Sequence, residues 1–263
     1  MRGIPLPQQA GKYEMADAST RHTAGETKAA GADSHRSAGS VVDHRALRIP
    51  VGPVALEADL ALPADAAGLV LFAHGSGSSR FSPRNRQVAQ MLNEAGLATV
   101  LADLLTPEEE RVDERTRHLR FDIALLGERL VGAADWLARY DSTASLALGL
   151  FGASTGAGAA LVAAALRPEA IRAVVSRGGR PDLAADALPR VRAPALLIVG
   201  GDDVPVIELN EQALARLRCE KRIEIVPGAT HLFEEPGTLD TVAALARDWF
   251  LRHLPSNDRT AAA

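Results

Sequence analysis

Five residues, Gly152-Ala153-Ser154-Thr155-Gly156, set the tightest limit on how this chain can fold. Ahead of them runs Ser145 to Phe151, an apolar stretch that reads as a buried strand. Behind them runs Thr155 to Leu166, mostly alanine, glycine and leucine, which reads as a helix. A strand that passes straight into a helix must bend sharply. Small neighbours at 152 and 156 keep that bend open, so the Ser154 hydroxyl can stand clear of the backbone.

The rest of the chain repeats the strand-then-helix theme. Residues 1 to 41 are rich in Ala, Gly, Ser and Thr without hydrophobic period, and the expectation there is a disordered tail. Arg45 to Val51 and Val54 to Leu62 read as strands joined by a turn at Pro50-Val51-Gly52-Pro53. Leu69 to Ala73 follows as a short strand, Pro83 to Ala95 as a helix, Leu97 to Leu101 as a strand, and Phe121 to Tyr140 as a long helix. The charged run Pro107 to Arg120 reads as a solvated loop, with an edge over a pocket as the sharper alternative. After the serine turn come strands at Ala173 to Ser176, Ala195 to Val199 and Arg222 to Val226. Helices Ile207 to Leu217 and Leu239 to Leu254 complete the domain, and 255 to 263 reads as a flexible end.

This alternation predicts an α/β fold with a mostly parallel central sheet and helices on both faces. The opening hairpin adds an antiparallel edge, and the spacing leaves no room for a large cap domain. At 263 residues and 47% hydrophobic, the chain can bury one substantial core.

A serine hydroxyl becomes a nucleophile when a base takes its proton and an acid holds that base. The strand–serine–helix turn resembles the nucleophile elbow of α/β-hydrolases, where the chain order is Ser, then Asp or Glu, then His. His231, in Pro227-Gly228-Ala229-Thr230-His231, is the candidate base. His22, His35 and His44 lie in or beside the tail, His118 in a charged loop and His253 in the last helix. The candidate acid is Asp203, after A-L-L-I-V-G-G, with Asp202 expected to brace its turn. Asp182, after the preceding strand, is an outside candidate. The oxyanion needs two backbone N–H donors: Thr155, which follows the nucleophile, and Ser76 in the loop His74-Gly75-Ser76-Gly77. His74 itself reads as a loop brace.

Several function classes have no support. A net charge of −4 gives no case for nucleic acid, and no apolar run is long enough to span a bilayer. The N-terminus lacks the apolar core of a secretory signal. A single cysteine, Cys219, permits no internal disulfide, which fits a cytoplasmic location. No cofactor or metal is called for, the expected partner is a small-molecule ester, and oligomeric state stays open.

Longer stretches sharpen this. F-A-H-G-S-G-S-S-R at Phe72 to Arg80 continues as S-P-R-N at Ser82 to Asn85. G-A-S-T-G-A-G-A-A at Gly152 to Ala160, S-R-G-G-R-P-D-L at Ser176 to Leu183 and P-G-A-T-H-L-F-E-E-P-G at Pro227 to Gly237 accompany it. Together they resemble the small serine hydrolase branch of the dienelactone hydrolase family, over roughly residues 42 to 254. The resemblance implies an esterase or lactonase-like hydrolase with little cap, Ser154, Asp203 and His231 as triad, and no metal. The family's namesake enzymes carry cysteine at the nucleophile position, so serine here points to ordinary ester hydrolysis rather than dienelactone turnover. Relatives of this branch also occur fused to phosphoribosyltransferase domains. Two other readings stay open: a catalytically idle fold used for binding, and an acyltransferase with the same nucleophile.

Arg80, Arg84 and Arg86 flank the oxyanion loop, and Arg177 and Arg180 flank Gly178-Gly179. A guanidinium can hold a substrate carboxylate or phosphate by paired hydrogen bonds. Arg80 and Arg177 are the expected substrate-binding residues; structural pairing with carbonyls or surface acids is the competing role.

Overall fold

The computed structural model describes residues 41–254. Residues 1–40 of the expected tail and the last nine residues lie outside the described residues.

Eight strands form one sheet in the order β1-β2-β4-β3-β5-β6-β7-β8. They are β1 (Val42–Val51), β2 (Val54–Pro63), β3 (Leu69–Ala73), β4 (Ala98–Ala102), β5 (Leu148–Ala153), β6 (Ile171–Arg177), β7 (Ala195–Gly200) and β8 (Lys221–Val226). β1 and β2 form the antiparallel hairpin from Val42↔Pro63 to Val51↔Val54, turning at Gly52 with φ +57°. β2 lies antiparallel to β4, and every pairing from β4 through β8 is parallel. The fold is an α/β-hydrolase fold with an antiparallel N-terminal edge, and the described residues insert no large cap.

The six α-helices among the described residues are α1 (Pro83–Glu94), α2 (Pro107–Thr116), α3 (Ile123–Leu137), α4 (Thr155–Leu166), α5 (Val204–Arg216) and α6 (Thr238–His253). Strand alternation sorts the core into two layers, as a period of two requires. Leu69 and Leu71 join α3, α4 and α5 on one face. Val70 and Phe72, one residue along, join α1 and α6 on the other. α4 is buried nearly all round, from Thr155 to Ala164. Its small residues let neighbours approach closely: a Cβ on Gly127 of α3 would lie 2.7 Å from Val162 Cγ1.

Three local readings change. Residues 107 to 116 are a helix, not a loop. Thr106 caps it by accepting from the Glu109 N–H while Glu109 returns a bond to the Thr106 N–H, and Pro107 sits at the first helical position. The charge density of this stretch hid that capping box. Pro181–Arg190 forms 3-10 turns that end at Val191, a stretch left unassigned from the sequence. α5 begins three residues earlier than expected, directly after Asp203, which becomes its N-cap residue.

From β3 the chain moves outward to β4 and returns across the sheet through α3 to β5. Strand order therefore reverses between β3 and β5, and a crevice opens beyond their carboxyl ends. The loops after β3, β5, β6, β7 and β8 all emerge at that end.

Candidate active site

Ser154 sits between β5 and α4 with φ 50° and ψ −122°, a conformation that side-chain-bearing residues rarely adopt. The turn is tied down on several sides. The Ala157 and Arg180 N–H groups donate to the Ser154 carbonyl at 3.1 and 3.0 Å, and the Ser154 N–H donates to the Arg177 carbonyl at 3.3 Å. The flanking glycines are required by backbone contact, beyond any freedom of rotation. A Cβ on Gly152 would lie 2.4 Å from Ala157 Cα, and one on Gly156 would lie 2.3 Å from the Ala73 carbonyl oxygen.

Backbone cannot retreat as a flexible side chain can, so Gly156→Ala carries an overpacking cost of ~1–3 kcal/mol. The expected outcome is a lower denaturation midpoint with an unchanged slope in a urea titration. A midpoint equal to wild type would mean that the β3 and β5 turns slide apart freely.

The β7 and β8 loops are locked together in the same way. The Asp202 N–H donates to the Ala229 carbonyl at 3.0 Å, and a Cβ on Gly200 would lie 2.3 Å from that same oxygen. This packing delivers Asp203 to His231: Asp203 Oδ2 lies 2.7 Å from His231 Nδ1. An ionised carboxylate only accepts, so Nδ1–H donates and Nε2 is left with the basic lone pair. Asp203 occupies the N-cap of α5 without using its side chain as a cap, and the carboxylate benefits from the positive end of the helix. The neighbouring acids are placed elsewhere. Asp202 is exposed, and the Asp182 carboxylate is held by Arg180 at 2.8 and 2.7 Å.

The His231 loop has its own brace. The Thr230 N–H and hydroxyl donate to Glu235 at 3.1 and 2.6 Å, and these bonds hold the Glu235 carboxyl below its ordinary pKa.

Ser154 and His231 line one cleft of about 510 Å³, whose walls include Ser76, Phe81, Arg84 and Arg177. Thr155 opens α4, where the first N–H groups of a helix have no intrahelical partner. The Ser76 N–H donates to Thr155 Oγ1 at 2.9 Å. A hydroxyl at the helix start lies within reach of the loop and takes up the donor. His74 is a brace. Its Nδ1–H donates to the Gly75 carbonyl at 3.0 Å, its Nε2 accepts from the Leu104 N–H at 3.1 Å, and burial lowers its pKa.

The two expected arginines part company. Arg80 is engaged inside the fold: its guanidinium pairs with Asp103 and lies 3.7 Å from Asp59, and its N–H donates to Asp103 at 2.6 Å. It also packs over the Phe81 ring at 4.2 Å. Arg177, at the end of β6, is 6% exposed, lines the cleft and has no carboxylate partner among the described residues. Two residues of α1 stand beside it: Arg84, named from the sequence as flanking the oxyanion loop, and Asn85, to which no role was assigned from the sequence. Buried Asn85 accepts from Arg177 Nη2 at 3.0 Å, and Arg84 stands close enough to repel it. Both lie in the first turn of α1.

Comparison with known proteins places the chain in a family. The model of the dienelactone hydrolase family matches residues 56–254. The crystal structure of a dienelactone hydrolase from Anabaena variabilis is 63% identical, with a TM-score of 0.80 over 81% of this chain and 99% of that one. Est1E from Butyrivibrio proteoclasticus shares the fold at 17% identity and a TM-score of 0.66, over 79% of this chain and 98% of its own. Proteins of two Mycobacterium tuberculosis strains, provisionally named phosphoribosyl transferases, are 59% identical over 208 residues. Those residues are 79% of this chain and 46% of theirs, so the chain spans less than half the length of these relatives. No helix among the described residues is long and apolar enough to cross a membrane. The chain belongs to the dienelactone hydrolase family, a family of hydrolases on the α/β-hydrolase fold.

Proposed function

We propose that this protein cleaves small carboxylic esters or lactones through a covalent acyl-enzyme on Ser154. The observation that carries the reading is the 2.7 Å contact of Asp203 with His231, which lines the same cleft as the strained Ser154. That contact fixes the tautomer in which Nε2 carries the basic lone pair.

In this reading His231 Nε2 accepts the Ser154 proton as Oγ attacks the carbonyl carbon. The oxyanion is met by the Thr155 N–H and by the Ser76 N–H, which trades its bond to Thr155 Oγ1 for one to substrate. Asp203 stabilises the imidazolium. His231 then returns the proton to the departing alkoxide. Water, deprotonated by the same nitrogen, attacks the acyl-enzyme and releases the acid and free Ser154.

The transferase named for the mycobacterial relatives belongs to proteins more than twice as long as the shared stretch. We read Ser154, His231 and Asp203 of this chain as the residue set of an acyl-group hydrolase.

The test is product analysis over a panel of p-nitrophenyl esters and lactones, with and without a competing alcohol or amine. Acid released by water as the main product, little changed by either acceptor, is the expected result. Dominant transfer to the acceptor would make the protein an acyltransferase. No turnover of any panel member would favour a fold used for binding.

A further inference from the structure

The backbone from Arg177 to Arg180 supports all three residues of the proposed triad or the elements that bear them. The Arg180 N–H donates to the Ser154 carbonyl at 3.0 Å, and the Arg177 carbonyl accepts from the Ser154 N–H at 3.3 Å. The Gly178 N–H donates at 2.8 Å to the Ile198 carbonyl of β7, the strand that leads to Asp203. Gly178 also lies against the histidine. A Cβ there would be 2.9 Å from the His231 carbonyl oxygen and 3.8 Å from His231 Cε1, and its φ of +50° suits glycine. Gly178, Gly179 and Arg180 belong to no strand or helix, and the two glycines have no side chain with which to anchor themselves.

Asn210 of α5 anchors them from outside. It is fully buried, and its Nδ2 donates to the Gly179 carbonyl at 3.0 Å and to the Val206 carbonyl of its own helix at 2.8 Å. Its Oδ1 has no partner among the described residues. A buried amide that leaves its acceptor unpaired is a poor stabiliser, because the unpaired atom carries its full desolvation cost. Leucine has the same branching and no such cost. What asparagine supplies and leucine does not is the donor to Gly179. α5 begins directly after Asp203, so this bond ties the helix that carries the acid to the loop that supports the nucleophile and the base.

We propose that Asn210 is a positioning residue for the hydrolase chemistry: its bond to Gly179 holds α5 against the 177–180 backbone and so sets the register of Asp203 and His231 with Ser154. This rests on the hydrolase reading and adds to it a residue outside the cleft lining.

The first test is steady-state kinetics on a p-nitrophenyl ester. Asn210→Leu is expected to lower kcat by about ten- to a hundredfold with KM changed less than about twofold, since the reacting groups are misaligned and the cleft wall is untouched. Asn210→Ser separates the two bonds and covers the case in which leucine does not pack. Its hydroxyl reaches the Val206 carbonyl one turn back but is too short for Gly179, so its kcat should fall as far. Leu56→Ala, at a fully buried position on β2, is the control for general loosening: a lower urea midpoint with wild-type kcat is expected. Wild-type kcat in the folded Asn210 variants, or an equal fall in Leu56→Ala, would overturn the proposal.

A second arm does not depend on turnover. Nitrogen NMR of protein with ¹⁵N-labelled histidine, the His231 signals assigned with His231→Gln, reads which ring nitrogen holds the proton. Wild type is expected to show the proton on Nδ1, and both Asn210 variants a mixture of tautomers as the Asp203 contact loosens. That result supports the positioning role even if no ester is turned over, in which case the hydrolase reading alone fails. His231 signals identical in wild type and both variants would overturn the proposal.

Discussion

Ser154→Ala is expected to lower kcat for any ester substrate by roughly 10⁶ while leaving the protein folded. The size follows from how a nucleophile and its base act as one unit. Without Oγ there is no acyl-enzyme, and the residual rate reflects only oxyanion stabilisation and substrate placement. The fold should tolerate the change. Alanine keeps the Cβ, and the bonds that tie down the turn run from backbone at Ala157, Arg180 and Ser154 itself. Steady-state kinetics on purified wild type and variant, with matched circular dichroism, read the effect. A folded variant with near-native turnover would place the chemistry elsewhere.

The second large effect belongs to Asp203. In Asp203→Asn the amide can donate as well as accept, so the imidazole can settle with its proton on Nε2 and its lone pair turned away from Ser154. A loss of about 10⁴ in kcat is expected from this tautomer error. Asp202→Asn and Asp182→Asn should change kcat little. The Asp202 side chain is exposed, and Asp182 is held by Arg180 rather than by the histidine. A comparable loss in either control, with Asp203→Asn active, would move the acid to that residue.

Much of this arrangement could be read along the chain. The serine turn, the succession of strands and helices and the loops that bear Asp203 and His231 follow from local patterns. Small residues, apolar runs of strand length and turn signals recur at intervals that only a parallel sheet accommodates. What escaped the reading depends on partners remote in sequence. The bond from the Ser76 N–H to Thr155 Oγ1 joins residues 79 positions apart. Arg80 and Arg177 look equivalent as sequence. Asp103 claims the first, whereas the second finds only Asn85, and the difference appears when β4, α1 and β6 are packed. The α2 helix was missed for the opposite reason. Its capping box at Thr106 and Glu109 was present in the sequence but was outweighed by the surrounding charge.

The central claim is that Ser154 is activated by His231 and Asp203. Intact-mass analysis after fluorophosphonate treatment tests it most directly, since the probe bonds only to a serine whose proton can be removed. One adduct on wild type, absent from Ser154→Ala and much slower to form in His231→Ala, is the predicted result. Folded wild-type protein that takes up no adduct, or an adduct that persists in Ser154→Ala, would contradict it.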